Sequence, residues 1–302
     1  MLPRPHLLLM AVVFVGTGFA TVAPTAVMGQ QIGQLLYAEV LDPSGMVATD
    51  LTPADFTVAE DGNEGTVLSV EFGNVPMRIA LLVDNGDRIA EANAVNPLRD
   101  GLAAFLDTLP AQHEVSLLTI ARNIQQRVDF TTDRDELKDS ANEIFADRGA
   151  GTVLLDGINE TWDRRFDEGE RFPVFVLVLT DGSESSSFYN DDEYAEFIGM
   201  LISNDIAVHT MIFSQRGGSN VSQYSLNITE NTGGLYENLA SETGMVDALT
   251  RIATRLGENH EQVSKRYRII YEQPDPPGAQ ISIQLNRPGY NVTGLFASNR
   301  IQ

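Results

Sequence analysis

Two aspartates stand where a protein can do chemistry. Asp84 closes the apolar run Ile79 to Val83, and Asp181 follows a second such run, Val174 to Leu179, with Thr180 between. A run that is apolar at every position reads as a strand buried on both faces, the pattern of a parallel sheet. Open α/β sheets bind their ligands beyond the carboxyl ends of such strands. Asp84 and Asp181 are therefore expected to share one site, and two carboxylates held that close repel unless a cation or a proton lies between them. Asp181 also opens the segment Asp181-Gly182-Ser183-Glu184-Ser185, whose Ser183 and Ser185 could lend hydroxyls to the site or simply cap a helix.

Other chemistry is thinly represented. His6, His113, His209 and His260 are isolated, and none stands in an H-E-x-x-H or G-x-S-x-G context. Gly149-Ala150-Gly151-Thr152 is glycine-rich but lacks the lysine of a phosphate-binding loop. Catalysis needs a nucleophile and a base converging in one pocket, and the sequence displays no such pair. The expectation is a protein that is not an enzyme, with a secreted hydrolase as a rival reading.

The elements that would position these residues follow an alternating order. After the Met77 to Asp84 strand, Asn96 to Leu109 reads as a helix, Glu114 to Ile120 and Ile124 to Phe130 as a hairpin at a sheet edge, and Asp133 to Phe145 and Val153 to Trp162 as helices. The Pro173 to Leu179 strand, a helix from Asp191 to Ile202, a strand from Ile206 to Phe213, a polar loop, a short strand near Leu235 and Tyr236, and a helix from Thr243 to Leu256 complete the series. This alternation predicts an α/β fold with a doubly wound, mostly parallel sheet. Leu36 to Leu41, Phe56 to Val58 and Val67 to Phe72 on one side, and Tyr267 to Tyr271 and Ile281 to Leu285 on the other, read as strands too few to fold alone. They are expected to pair as a small β subdomain formed by the two flanks.

The chain has 302 residues, no cysteine and a formal net charge of −22. That charge disfavours nucleic acid as a partner, and the lack of cysteine excludes disulfides, thiolate metal sites and cysteine nucleophiles. Arg4, the apolar run Leu7 to Phe19 and the small residues Ala20, Ala23, Ala26 and Gly29 have the layout of a secretory signal peptide. An uncleaved anchor is the competing reading, and a membrane association is expected only in that case. The predicted organisation is a signal peptide over 1–29, an amino-terminal β segment over 30–75, an α/β domain over 76–260 and a carboxyl-terminal β segment over 261–302. The predicted location is exported: periplasmic, cell-surface or secreted.

Leu81-Leu82-Val83-Asp84, Gly149-Ala150-Gly151-Thr152 and Val178-Leu179-Thr180-Asp181-Gly182-Ser183 together resemble the von Willebrand factor type A domain. Asp55-Phe56-Thr57-Val58, Glu60-Asp61-Gly62 and Arg287-Pro288-Gly289-Tyr290 resemble the flanks of an exported bacterial group within that family. The resemblance implies a metal-ion-dependent adhesion site, in which two aspartates, a threonine and two serines hold Mg²⁺ or another divalent cation and an acidic group of the partner completes the shell. On that pattern Asp84, Thr152 and Asp181 are the metal positions, while Gly86 and Arg88 replace the serines. The site is thus read as degenerate: metal binding is expected to be weak, with the Arg88 guanidinium reaching between Asp84 and Asp181 in place of an ion. Partner contacts are expected from Asn85, Asp87, Arg88, Gly151, Ser183 and Ser185. The expected role is binding of a protein or surface polymer through the carboxyl edge of the sheet, and the alternative is an assembly subunit of a cell-envelope complex without a metal role.

Overall fold

A computed structural model describes residues 33–297 of the chain, apart from 74, 167–171, 188 and 216–218. The signal-peptide reading falls on residues 1–29, outside the described ones. In chain order the elements are β1 (Gln34–Leu41), β2 (Phe56–Glu60), β3 (Asn63–Glu64), β4 (Thr66–Phe72), β5 (Arg78–Val83), α1 (Asp87–Glu91), α2 (Val95–Thr108), β6 (Glu114–Thr119), β7 (Gln125–Thr131) and α3 (Arg134–Asn142). They continue as α4 (Leu154–Arg165), β8 (Pro173–Thr180), α5 (Asp191–Ser203), β9 (Ala207–Phe213), α6 (Asn220–Asn231), β10 (Tyr236–Leu239), α7 (Met245–Val263), β11 (Arg266–Glu272), β12 (Ile281–Leu285) and β13 (Asn291–Phe296). Among the described residues no helix is long and apolar enough to cross a membrane.

Six strands form the central sheet in the order β10-β9-β8-β5-β6-β7, all parallel except the edge strand β7. The continuous apolar runs hold its middle. Ile79, Leu81 and Val83 of β5 and Val174, Val176 and Val178 of β8 face a core closed by α2, α3 and α7. Ala80 and Leu82, with Phe175, Leu177 and Leu179, face a second core closed by α4, α5 and α6. Helices on both faces are what allow both sides of these strands to be apolar. The chain runs outward from β5 to β6 on one side and returns through β8 on the other, so the sheet changes winding direction between β5 and β8. That is the switch point at which open α/β sheets form ligand clefts.

The flanks pair as expected. β1 runs antiparallel to β11 from Gln34 opposite Tyr271 to Glu39 opposite Arg266, and β13 and β4 extend this sheet on either side. β12 pairs with β2, setting Ile281 opposite Glu60 and Leu285 opposite Phe56. Leu36, Ala38, Val40, Phe56, Val58, Tyr267, Ile269 and Tyr271 share one core drawn from both ends of the chain. Neither flank could bury such a face by itself.

Four local expectations need correction. The polar loop after β9 contains α6, whose inward face is Val221, Ser225, Ile228 and Thr229. Half of that face is hydroxylic, which hides the helix from a hydropathy reading. The hydroxyls are used: Thr229 Oγ1 lies 2.7 Å from Thr210 Oγ1 of β9, and Thr232 Oγ1 accepts from the Val208 N–H at 3.2 Å. α7 runs past Leu256 to Val263 because His260 and Val263 continue its buried stripe. α3 stops at Asn142, short of Phe145, where Arg99 donates two hydrogen bonds to the Ile144 carbonyl at 2.8 and 3.1 Å. The short helix α1, directly after Asp84, was not anticipated, and it decides where Arg88 points.

Candidate functional site

Asp84 and Asp181 leave the carboxyl ends of adjacent strands β5 and β8 and are 1% and 8% exposed. Thr152, 1% exposed, arrives from the segment before α4, which is held across the site by backbone bonds: Thr152 N–H donates to the Ser183 carbonyl at 2.9 Å, and Ser185 N–H to the Thr152 carbonyl at 2.7 Å. Thr152, Thr180 and Arg88 converge over Gly182. A methyl group there would lie 3.5 Å from Thr180 Oγ1, 3.6 Å from Arg88 Cγ and 3.8 Å from Thr152 Oγ1. The structure thus brings together the three residues expected at the metal positions, and Arg88 with them.

The partners of the two aspartates differ from the expectation. Asp84 Oδ1 accepts the Gly86 N–H at 2.8 Å, while Oδ2 accepts the Thr180 N–H at 3.2 Å and the Thr180 hydroxyl in a short hydrogen bond. Arg88 does not reach between the aspartates. Its Nε donates to Asp181 Oδ1 at 3.0 Å and its Nη1 pairs with Glu91 one turn along α1. The reason is local: Thr180 and Gly86 satisfy Asp84 from within its own strand ends, and α1 turns Arg88 toward β8. Glu91 first, and Asp181 with it, hold the Arg88 guanidinium protonated above its ordinary range. The far oxygen of Asp181 accepts from the Ser214 hydroxyl at 3.3 Å.

This donor set does not fit a divalent ion. Mg²⁺ requires near-octahedral oxygens at about 2.0–2.1 Å and keeps several waters, whereas both oxygens of each aspartate already accept from protein donors. The serine positions offer no hydroxyl, and a guanidinium lies against Asp181. Among the described residues no group of three histidine, aspartate or glutamate side chains is placed to hold an ion. Nor is there room for a serine at position 86, since a Cβ there would stand 2.7 Å from the Ala150 carbonyl oxygen and 3.0 Å from Asp84 Oδ1.

The expected partner-binding residues divide into two groups. Asn85 and Asp87 tie the loop after β5 to the loop before α4: Asn85 Nδ2 donates to the Phe145 carbonyl at 2.7 Å, and Asp87 Oδ1 accepts the Gly149 N–H at 2.5 Å. Ser183 and Ser185 are exposed on the upper rim, with their hydroxyls over Gly151. A Cβ on Gly151 would come within 2.7 Å of Ser183 Oγ and within 2.2 Å of Ser185 Oγ, so a glycine is required there for close approach. Asp87, Arg88, Glu91, Gly151, Asp181 and Ser183 line a cleft of about 590 Å³, and the amino end of α6 closes one side.

Sequence reasoning missed Thr180, Glu91 and Glu184. Thr180 precedes Asp181 on the same strand end, and Glu91 lies three residues after Arg88, the spacing at which helical side chains meet; both signals were readable. Glu184 accepts from the Leu154 N–H at 3.2 Å and the Ser186 N–H at 2.8 Å, fastening the β8 loop to the first turn of α4. Burial pushes its carboxyl up, and these donors partly offset that. The described histidines, His113, His209 and His260, do not line the cleft. His209 Nδ1 accepts the Leu235 N–H at 3.1 Å, and His113 and His260 stack edge to face, with ring centres 4.5 Å apart, at the opposite edge of the sheet.

No family model and no curated protein matches the sequence. Solved structures do. A von Willebrand factor type A protein from Catenulispora acidiphila superposes with a TM-score of 0.52 at 10% identity, over 90% of this chain and 76% of that one. The conserved hypothetical protein BatB from Bacteroides thetaiotaomicron has a TM-score of 0.48 at 14% identity, over 60% of this chain and 99% of that one. The proximal thread matrix protein 1 of the mussel byssus, in a structure with a zinc-occupied MIDAS motif, has a TM-score of 0.46 at 12% identity, over 60% of this chain and 48% of its own. With the strand order and the switch point between β5 and β8, the Catenulispora likeness shows that the chain has the fold of a von Willebrand factor type A domain.

Proposed function

We propose that the protein is exported and acts as a non-catalytic binding module, engaging a protein or surface polymer through the carboxyl edge of its central sheet. The observation that carries this reading is the cleft at the switch point, where the loops after β5 and β8 and the loop before α4 are laced together by Asn85, Asp87 and Thr152. Loops fixed in this way present a preformed surface, which lowers the ordering cost of association. Among the described residues the lining has acids, an arginine and serines but no histidine, which favours recognition over catalysis. Export rests on the Arg4 to Gly29 layout, and amino-terminal sequencing of the protein from culture fractions should find a start between Thr21 and Gln31. An intact Met1 in the membrane pellet would favour an anchor.

The test of binding is affinity capture from envelope extracts of the producing organism, with and without a chelator. The proposal requires a partner retained in both conditions and lost when Ser183 and Ser185 are replaced by bulky residues. The assembly reading is favoured by one observation: Leu68, Ile281 and Leu295, on β4, β12 and β13 of the flanks, are 39–45% exposed. On that reading capture would survive changes at Ser183 and fail when these three are made polar.

A further inference from the structure

We infer that the protein assembles with further copies of itself, the Phe145 ring of one copy seating in a groove along α5 of the next. Neither surface lines the cleft, so the inference does not rest on the proposed binding role. Phe145, in the loop before α4, is 70% exposed, the highest value for a large apolar side chain among the described residues. The backbone that carries it is nevertheless fastened on both sides. Arg99 of α2 donates to the Ile144 carbonyl through Nε and Nη2, Asn85 Nδ2 donates to the Phe145 carbonyl at 2.7 Å, and the Asp147 N–H donates to the Asn85 carbonyl at 2.8 Å. The Arg99 guanidinium lies 4.7 Å from the centre of the ring. A single exposed phenylalanine is ordinary. One on a rigid mount has already lost the freedom that association would otherwise take from it, which is the property of an interface anchor.

The same chain carries a socket of matching chemistry. A groove of about 370 Å³ runs along α5, lined by buried Phe197, half-buried Tyr189 and Met200, and exposed Glu193 and Glu196. Tyr189 and Phe197 meet edge to face with ring centres 6.1 Å apart, an arrangement that a third ring can extend, and methionine sulfur favours aromatic neighbours. This wall is preformed too: Asp156 of α4 accepts from the Tyr189 hydroxyl at 3.3 Å and from the Ser187 N–H at 2.8 Å. Charge selects the pairing. Arg99 against the ring and exposed Arg148 in the same loop bring two guanidiniums with no carboxylate partner among the described residues, and the groove answers with Glu193 and Glu196. Two copies of a chain with a net charge of −22 repel over most of their surfaces, and a knob edged by arginine against a groove edged by glutamate is a contact that does not. α2 and α3 close one face of the central sheet and α4 and α5 the other, so the contact is heterologous: each copy offers its knob to one neighbour and its groove to another. One ring in one groove covers less than the roughly 1,200–2,000 Å² of a standard interface, which sets the association in the weak range, on the order of 100 µM.

The experiment is sedimentation equilibrium of the purified protein from about 10 to about 500 µM, at about 0.15 M salt so that net repulsion is screened beyond about 8 Å. Wild type, Phe145→Ala and Glu196→Lys are run alone, and the two variants are also mixed in equal amounts. Both side chains are exposed, so neither change should disturb the fold, and circular dichroism with Tm checks this. The weight-average mass of the wild type should rise with concentration past that of a dimer. Each variant alone should associate at least about tenfold more weakly, one for want of the ring and the other because a lysine at the groove meets the arginines of the knob. In the mixture the Glu196→Lys copy supplies an intact knob and the Phe145→Ala copy an intact groove, so the two should pair and stop at two copies. A wild type that stays monomeric at about 500 µM, variants that associate as the wild type does, or a mixture no heavier than its components would each overturn the inference. No other protein enters this experiment, so its outcome is independent of affinity capture.

Discussion

The Thr180 hydroxyl and amide both point at Asp84 Oδ2, so the residue that ends β8 satisfies the carboxylate that follows β5. A buried carboxylate deprived of a donor costs about 1–3 kcal/mol. Thr180→Val keeps the β-branched shape and the amide but removes the hydroxyl, and urea unfolding should find it less stable by about that amount. An unchanged midpoint would mean that the Gly86 N–H and the remaining amide suffice for Asp84.

Gly86 should resist the substitution that family resemblance invites. Gly86→Ser places a Cβ against the Ala150 carbonyl oxygen, and relief requires moving the loop that carries Gly151 and Thr152. Overpacking of this kind typically costs about 1–3 kcal/mol. Thermal denaturation should show the loss with or without Mg²⁺; a variant as stable as wild type that gains Mg²⁺ affinity would refute the geometry described here.

His113 gives the fold a pH dependence far from the cleft. It is fully buried, its Nδ1 accepts the Met77 N–H at 3.1 Å, and burial first, then the charges of His260 and Arg134, bring its pKa down from 6.5 to about 4. A histidine with a depressed folded pKa contributes stability that is complete above pH 6.5 and lost as pH falls toward 4, because the unfolded chain takes up the proton first. Between pH 7.5 and 4.5 the wild type should lose about 2 kcal/mol more than His113→Asn, which can still accept from Met77. Parallel pH profiles for the two proteins would remove His113 from this role.

The paired flanks should unfold together. Ile269 is fully buried in the core shared by β1, β2 and β11, and Ile269→Ala should cost about 2–5 kcal/mol. Hydrogen exchange should then show protection falling in Leu36 to Val40 as well as in β11. Protection lost from β11 alone would mean that β1 does not depend on its partner.

The sequence disclosed the site's scaffold better than its contacts, for a physical reason. β5 and β8 were legible because burial on both faces leaves no polar position, and a carboxylate that ends such a run has to emerge at the sheet edge. α6 was not, because its buried face includes Ser225 and Thr229, whose hydroxyls bond to the Ser222 carbonyl and to Thr210, and hydroxyls look like surface in a hydropathy pattern. Arg88 was recognised as the intruder in the metal pattern, but its choice of Asp181 and Glu91 over Asp84 depended on α1, a helix of five residues too short to leave a periodic signature. Thr152 and Ser183 share a backbone bridge that no spacing rule could have joined across thirty positions.

The most direct test of the central claim, that the carboxyl edge of the sheet is the face that meets the partner and does so without a metal, is site-specific photo-crosslinking in the producing cells. A photoreactive residue is placed at exposed Ser183, on the cleft rim, or at exposed Ile281, on the flank. The account predicts a discrete crosslinked product from Ser183 that persists when cells are treated with a chelator, and none from Ile281. A product from Ile281 alone, or a Ser183 product abolished by the chelator, would contradict it.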